Sequence, residues 1–201
     1  MTVDTEQLVS DLKQKYEHIK QHINQNEWIK TNRGYKFYNG HYNNISERVH
    51  GELNLGVRID LTSQVIPLIS EISSKEQTEE IWKSVKGLLH DKSKGGLRLT
   101  TDYKELDLNL GRITGFIYGS REHGSKWSQQ NIMFMLGLYK NNFIEEGYNV
   151  FSELFDLCMD SNTSKMFPCI PSSFDNNNRG TYNYLTGSAS WLIYSMITEV
   201  Y

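Results

Sequence analysis

Residues 62–91, TSQVIPLISEISSKEQTEEIWKSVKGLLHD, decide the fold class. Val65, Ile66, Leu68, Ile69 and Ile72 place apolar groups at helical spacing behind Thr62, an expected N-cap. Pro67 lies inside this run and predicts a kink or a later helix start. After a break at Ser73–Ser74, Ser74 and Gln77 stand at capping-box spacing. Glu76, Glu79 and Glu80 crowd the first turn and lysines follow, the order the helix dipole favours. Ile81, Trp82, Val85, Leu88 and Leu89 form one stripe. Two helices joined by so short a break predict an antiparallel α/α hairpin.

The pattern extends in both directions. Leu8, Leu12, Tyr16, Ile19 and Ile23 predict a helix over 4–24, capped by Asp4 or Thr5. His18 and His22 on it are four residues apart, but with no Glu or Cys partner pattern they read as polar surface positions, not metal ligands. Residues 25–57 carry Asn-Arg-Gly and Asn-Gly turn signals between Trp28, Ile29, Tyr35 and Phe37, which predicts a short β-hairpin or an irregular aromatic loop. Beyond a loop at 92–111, a second hairpin is expected from helices at 128–140 (Ile132, Met135, Leu136, Tyr139 inward) and 142–160 (Ile144, Tyr148, Phe151, Leu154, Phe155, Cys158 inward). Residues 161–185 read as a long Asn/Ser/Pro-rich loop, and a last helix starts near Thr186–Gly187. The class is all-α: helical hairpins alternating with long loops that hold short β-hairpins, with 1–201 as one domain.

Composition narrows function. A net charge of −3 without a basic block lacks the footprint of a nucleic-acid binder. Twelve Tyr and four Trp suit an aromatic-lined groove. Two cysteines make no disulfide framework, and Cys158 reads as a buried free thiol. The opening residues MTVDTEQLVSDL are polar and acidic, and no apolar run reaches membrane-spanning length, so a cytoplasmic protein without membrane contact is expected.

The richest stretch is Leu108–Asn131, LNLGRITGFIYGSREHGSKWSQQN. Four glycines sit among Phe116, Tyr118 and Trp127 and the charged Arg112, Arg121, Glu122 and His123. Aromatic faces, guanidinium and carboxylate together suit a sugar: rings stack on C–H faces while charged groups hold hydroxyls. The same residues also suit tight turns with aromatics capping a core.

In their order and spacing, RIDLTSQVIPLIS, GGLRLTTDY, LNLGRITGFIYGSREHGSKWSQQN, FIEEGYNVFSEL and RGTYNYLTGSASWLIYSMITEVY resemble the catalytic domain of glycoside hydrolase family 94, the cellobiose, chitobiose and oligo-β-glucan phosphorylases. The oligo-β-glucan branch is the most similar. The resemblance implies the C-terminal portion of a six-hairpin α/α barrel (toroid) and inverting phosphorolysis of a β-linked gluco-oligosaccharide. In that chemistry inorganic phosphate is the co-substrate and an aspartic acid protonates the leaving oxygen.

It implies roles as well. Thr186 and Gly187 resemble the pair that holds phosphate at the start of the last helix, where free N–H groups and the dipole favour an anion. Gln129 stands where the family has a phosphate-binding His. Arg121, Glu122 and Arg112 fall at positions of the sugar-binding loop, with Arg112 replacing an acidic residue, and the aromatics Phe116, Tyr118 and Trp127 complete the expected sugar-binding set. The family's general-acid motif, Asp-Trp-Asn-Asp, has no counterpart in this sequence, so no catalytic residue is assigned and the chain alone is expected to lack phosphorylase turnover. The missing half of the barrel or a homo-oligomer is the expected partner, with no metal or organic cofactor. Two alternatives stay open: a non-catalytic sugar-binding or pseudoenzyme module, and a helical interaction protein that has lost the site.

Overall fold

The structure is a computed structural model and describes residues 4–166, 169–182 and 186–200. Its helices are α1 (Thr5–Asn26), α2 (Thr62–Ile69), α3 (Lys75–Leu88), α4 (Ser128–Lys140), α5 (Ile144–Met159), the single turn α6 (Ser161–Ser164), and α7 (Gly187–Ser195), which widens into a π-type turn at Met196–Val200. Antiparallel hairpins β1–β2 (Trp28–Lys30, Lys36–Tyr38) and β3–β4 (Gly51–Leu53, Gly56–Arg58) lie between α1 and α2. A small three-stranded sheet joins β5 (Lys126–Trp127), β6 (Ser173–Phe174) and β7 (Gly180–Thr181) in that order.

Helix α4 is the hub. It packs on α5, α2 and α7, and its buried residues run from Ser128 to Tyr139 on nearly every side, including Phe134 and Leu138, which the expected stripe left out. A helix apolar all round belongs inside. Gly137 lets α2 come close: a methyl group there would lie 2.6 Å from Leu68 Cβ.

The capping box of Ser74 and Gln77 forms as expected, as does the Asp4 cap of α1. The start of α2 differs. Thr62 makes no cap. Instead, Asp60 accepts from the Ser63 N–H (2.6 Å) and the Ser63 hydroxyl (2.7 Å). The helix stops at Ile69, not Ile72. Pro67 has no N–H to offer the turn behind it, and its carbonyl takes the N–H groups of Ile72 and Ser73 as the chain turns away. β2 is held by side chains from two helices. Gln64 of α2 exchanges two hydrogen bonds with Tyr38, and Ser84 of α3 exchanges two with Lys36. Both clamping side chains are wholly buried, so each strand group they satisfy would otherwise be orphaned.

Two expected stripes need correction. On α5 the buried face is Gly147, Val150, Leu154 and Leu157, whereas Ile144, Tyr148 and Phe155 are half exposed or more. The Tyr139 ring explains the rotation: only a residue without Cβ can sit against it, since a Cβ at Gly147 would be 2.5 Å from Cε1. On α1 no residue is buried, and Leu8, Leu12, Tyr16 and Ile19 face outward. Only its C-terminal half engages the rest: Tyr16 and Lys20 donate to carbonyls at Ser70 and Glu71, and Ile23 packs on the core. The described residues within 161–185 form α6, β6 and β7 where a loop is expected.

A buried charge cluster ties the sheet to the helices. Lys126 is 1 % exposed, and its ammonium lies 3.0 Å from Asp91 and 2.6 Å from Asn178 Oδ1. Arg98 adds a 2.7 Å bond to the same Asp91 oxygen. Burial opposes the charge on Asp91, but hydrogen bonds from Lys126 and Ser93 and the Lys126 and Arg98 charges outweigh it, holding the carboxyl well below the usual range. Burial likewise pulls Lys126 down, and Asp91 is what keeps its ammonium charged.

Three outcomes follow. Gly137→Ala gains up to about 1 kcal/mol of helix propensity but forces α2 off α4, an overpacking cost of roughly 1–3 kcal/mol, so thermal unfolding shows a net loss. Asp91→Ala strands two cations and costs about 3–5 kcal/mol in urea unfolding. Because Asp91 titrates lower in the folded chain than unfolded, its contribution is complete above about pH 4 and drains away as pH falls toward the folded value. The urea midpoint of the parent chain therefore drops more steeply below about pH 4 than that of Asp91→Asn.

Candidate functional site

The loop 108–131 is built on local hydrogen bonds. Two 3₁₀ turns, Leu108–Leu110 and Ile113–Gly115, are laced by Thr114, whose hydroxyl accepts from the Asp107 N–H and donates to its carbonyl. A tight turn at Ser120–His123 follows, with Arg121 at φ +48° and Gly119 N–H on the His123 carbonyl. His123 is 5 % exposed and fully used: Nε2 accepts the Tyr103 N–H (3.1 Å), which leaves the proton on Nδ1 to reach the Phe116 carbonyl (2.7 Å). It is a pin inside the loop.

This scaffold presents a cavity of about 610 Å³ whose lining includes Arg112, Arg121, Glu122, Trp127, Ser173 and Tyr182. Arg112 pairs with Glu122. Phe116 sits between the guanidinium groups of Arg112 (5.8 Å) and Arg121 (5.6 Å) and holds both arms. Trp127 Nε1 donates to the Arg121 carbonyl (3.1 Å), fixing the indole, and Arg121 reaches the Tyr182 hydroxyl (3.1 Å) across the cavity. Rigid aromatics, a guanidinium pair and a carboxylate around one concave space can stack a ring and bind its hydroxyls.

The expected residues fall into three places. Arg112, Arg121, Glu122 and Trp127 line the cavity, and Phe116 props two of them. Gln129, Thr186 and Gly187 meet where α4 begins beside the start of α7: Thr186 caps α7 by accepting the Ser188 N–H, and a Cβ on Gly187 would lie 3.0 Å from Gln129 Oε1. Tyr184 and Leu185, part of the motif around them, lie outside the described residues. Tyr118 joins neither group. Its ring lies under Arg98 (5.2 Å) and edge-on to His123 (5.4 Å), with its hydroxyl on the Thr100 carbonyl.

The sequence reading missed the wall opposite. Ser172, Ser173, Asp175, Thr181 and Tyr182 line the cavity from the β6–β7 hairpin. Arg179-Gly180-Thr181-Tyr182, a turn-then-aromatic string, was the one available signal.

Among the described residues, His41, His50 and Asp60 bring three ligand-type atoms within 4.8 Å of one another. His50 Nδ1 accepts the Gly40 N–H (3.0 Å), so the neutral ring carries its proton on Nε2, which lies 2.9 Å from Asp60 Oδ2. A metal-ligating His instead donates from its far nitrogen. The set therefore suits a close imidazole–carboxylate contact better than a metal ion. Burial opposes charge on His41 and Asp60: it lowers His41, and Asp60 nonetheless stays below its usual range through His50 and Ser63.

Comparison with known proteins supplies the family. A solved structure of a GH63 mannosylglycerate hydrolase from Thermus thermophilus, in complex with Tris, is similar over 70 % of this chain and 30 % of its own, at 13 % identity and a TM-score of 0.43. A solabiose phosphorylase from Paenibacillus borealis is 26 % identical over a region covering 87 % of this chain. The chain spans about a quarter of that relative's length, 23 %. The family described as "Glycosyl hydrolase 94 superfamily, catalytic domain" matches residues 3–201, and the chain belongs to that family.

Proposed function

We propose that this chain forms part of a six-hairpin α/α barrel and supplies a sugar-binding wall and one side of the phosphate site of an inverting β-glucoside phosphorylase. The cavity at Trp127 carries the reading, because it sets an immobilised indole, two guanidiniums and a carboxylate around one space. Trp127 offers a flat face to a pyranose. Arg121 donates to ring hydroxyls, and Glu122 accepts from them. At the start of α7, backbone N–H groups and the positive end of the dipole favour phosphate, with the Gln129 amide beside them. The substrate class is a β-linked gluco-oligosaccharide, with inorganic phosphate as nucleophile.

Proton donation to the leaving oxygen needs a carboxylic acid that this reading does not find in the chain, since no Asp-Trp-Asn-Asp string occurs in it. The partner is the part of the barrel that carries that acid. A second reading, a sugar-binding module without phosphorolysis, gains from Gln129. An amide binds phosphate without the charge a protonated His would bring, and this one also reaches the Met133 sulfur.

Titration calorimetry with cellobiose, with and without phosphate, tests the proposal. Sugar binds in both cases, more tightly with phosphate present; a sugar affinity indifferent to phosphate supports the module instead, and no binding of cellobiose removes both readings. Trp127→Ala lowers cellobiose affinity about thirtyfold, roughly 2 kcal/mol. Gln129→His strengthens phosphate binding about fivefold at pH 6, where the new imidazole is charged, and not at pH 8.

A further inference from the structure

Helix α1 extends past the packed helices as an arm. Every residue from Asp4 to Ile19 is exposed, and no residue of α1 is buried. Among the described residues, its hydrogen bonds to the rest of the chain begin at Tyr16 and continue through Lys20 and Asn24. The stretch Thr5–Ile19, about 22 Å of helix, therefore lies outside the core. A helix of that length is marginal in water when nothing packs on it, so a cover stabilises it.

One side of the arm is apolar. Leu8 (44 % exposed), Leu12 (55 %) and Ile19 (52 %) follow one line along the helix, with Val9 beside them. The charges around this stripe identify what covers it. Glu6 and Asp11 lie in the first half of the arm, and Lys15 and Lys20 in the second. At about 100° per residue, Asp11 and Lys15 border the stripe on one flank and Glu6 and Lys20 on the other.

A second copy of the helix, turned end for end about an axis at Lys13, matches this pattern. Asp11 then stands opposite Lys15 of the second copy, and Glu6 opposite Lys20 of the second copy. Leu8 falls within a residue of the second copy's Ile19, and the two Leu12 side chains lie either side of the axis. Acid meets base on both flanks of an apolar seam, whereas a parallel pairing in register sets acid against acid. A two-fold contact requires self-complementarity of this kind. Lys15 and Asp11 already pair at 2.6 Å within the helix, so the two copies bring four alternating charges together. Lys20 donates to the Tyr16 hydroxyl and the Glu71 carbonyl and has a third proton for a carboxylate. Lys13 itself lies about 100° round from Leu12, off the seam.

We propose that α1 is a self-association arm, whose Leu8–Leu12–Ile19 stripe docks antiparallel on the same stripe of a second copy of this chain. The proposal is independent of the sugar reading. One helix pair of this length buries less than the roughly 1,200 Å² of a stable interface, so the dimer is weak, with a Kd of about 100 µM.

Analytical ultracentrifugation of the full chain from about 5 to 500 µM tests it. The parent passes from monomer to dimer across that range. Leu12→Asp stays monomeric and, when dilute, melts like the parent, because Leu12 is exposed in the free chain. Glu6→Lys/Asp11→Lys and Lys15→Glu/Lys20→Glu are each monomeric alone, and an equal mixture of the two dimerises, since each arm then carries one sign of charge. A parent chain that is monomeric at every concentration overturns the proposal and leaves the stripe to a different polypeptide. Dimers that survive Leu12→Asp place the contact elsewhere and overturn it too, as does a mixture that stays monomeric. A lowered melting temperature for dilute Leu12→Asp also overturns it, because the side chain then serves the fold of the monomer.

Discussion

The Lys126 ammonium, buried against Asp91 and Asn178 with Arg98 bonded to the same Asp91 oxygen, is the contact on which the site's geometry depends. Burying an ion is tolerable only when its counter-charge and hydrogen bonds are all in place, so the cluster forms as a whole or not at all. It joins three distant pieces: the turn after α3, the strand β5 that leads into α4, and the β6–β7 hairpin that forms the far wall. Arg98 carries the same constraint outward, through Asn176 to the Tyr118 carbonyl and through its stacking on the Tyr118 ring. The loop 108–127 is thus held at its middle and its end by charge, while its start is laced by Thr114.

On that base, α4 converts packing into placement. Because it is buried on nearly all sides, its first turn cannot drift. Ser128 is fixed by the Pro171 and Ser172 carbonyls and Asn131 by both backbone groups of Leu97. Trp127 and Gln129 flank these anchors, so the indole and the amide inherit the rigidity of the core. A binding side chain at the end of a buried helix loses little entropy on contact, which is the advantage of a site at helix ends over one on a free loop.

Some of this is legible in the sequence. Local chemistry reads well: Ser74 with Gln77, Asp4 and Thr186 cap helices because their side chains reach the N–H groups a few residues on, wherever the rest of the chain lies. The membership of the cavity set is mostly legible too, because Arg112, Arg121, Glu122 and Trp127 share one loop. Helix faces read less well. Periodicity finds a stripe but not what covers it: it points Ile144 and Tyr148 of α5 inward, and the contact of Gly147 with Tyr139 turns them out. The outward stripe of α1 is apolar by pattern and uncovered among the described residues. Long-range polar pairing is the least legible part. Nothing in the residues around Lys126 announces its burial, and Tyr118 reads as a sugar platform until Arg98, 20 positions earlier, lies across it. No local rule announces a partner that only the fold supplies.

Three helix starts lie beside the candidate site residues: Asp60 and Ser63 open α2 on a cavity of about 550 Å³ that Glu122 also lines, Trp127 precedes α4 on the cavity of Arg121, and Thr186 opens α7 against Gln129. At each start an acceptor takes an N–H of the first turn: Asp60 that of Ser63, the Ser172 carbonyl that of Ser128, and Thr186 that of Ser188. Asp60 stays below its usual range despite burial because His50 faces it and the Ser63 hydroxyl and N–H donate to it. The two carboxylates of that cavity are thus each answered locally, Asp60 by Ser63 and His50 and Glu122 by Arg112, so neither is an uncompensated charge left by the fold.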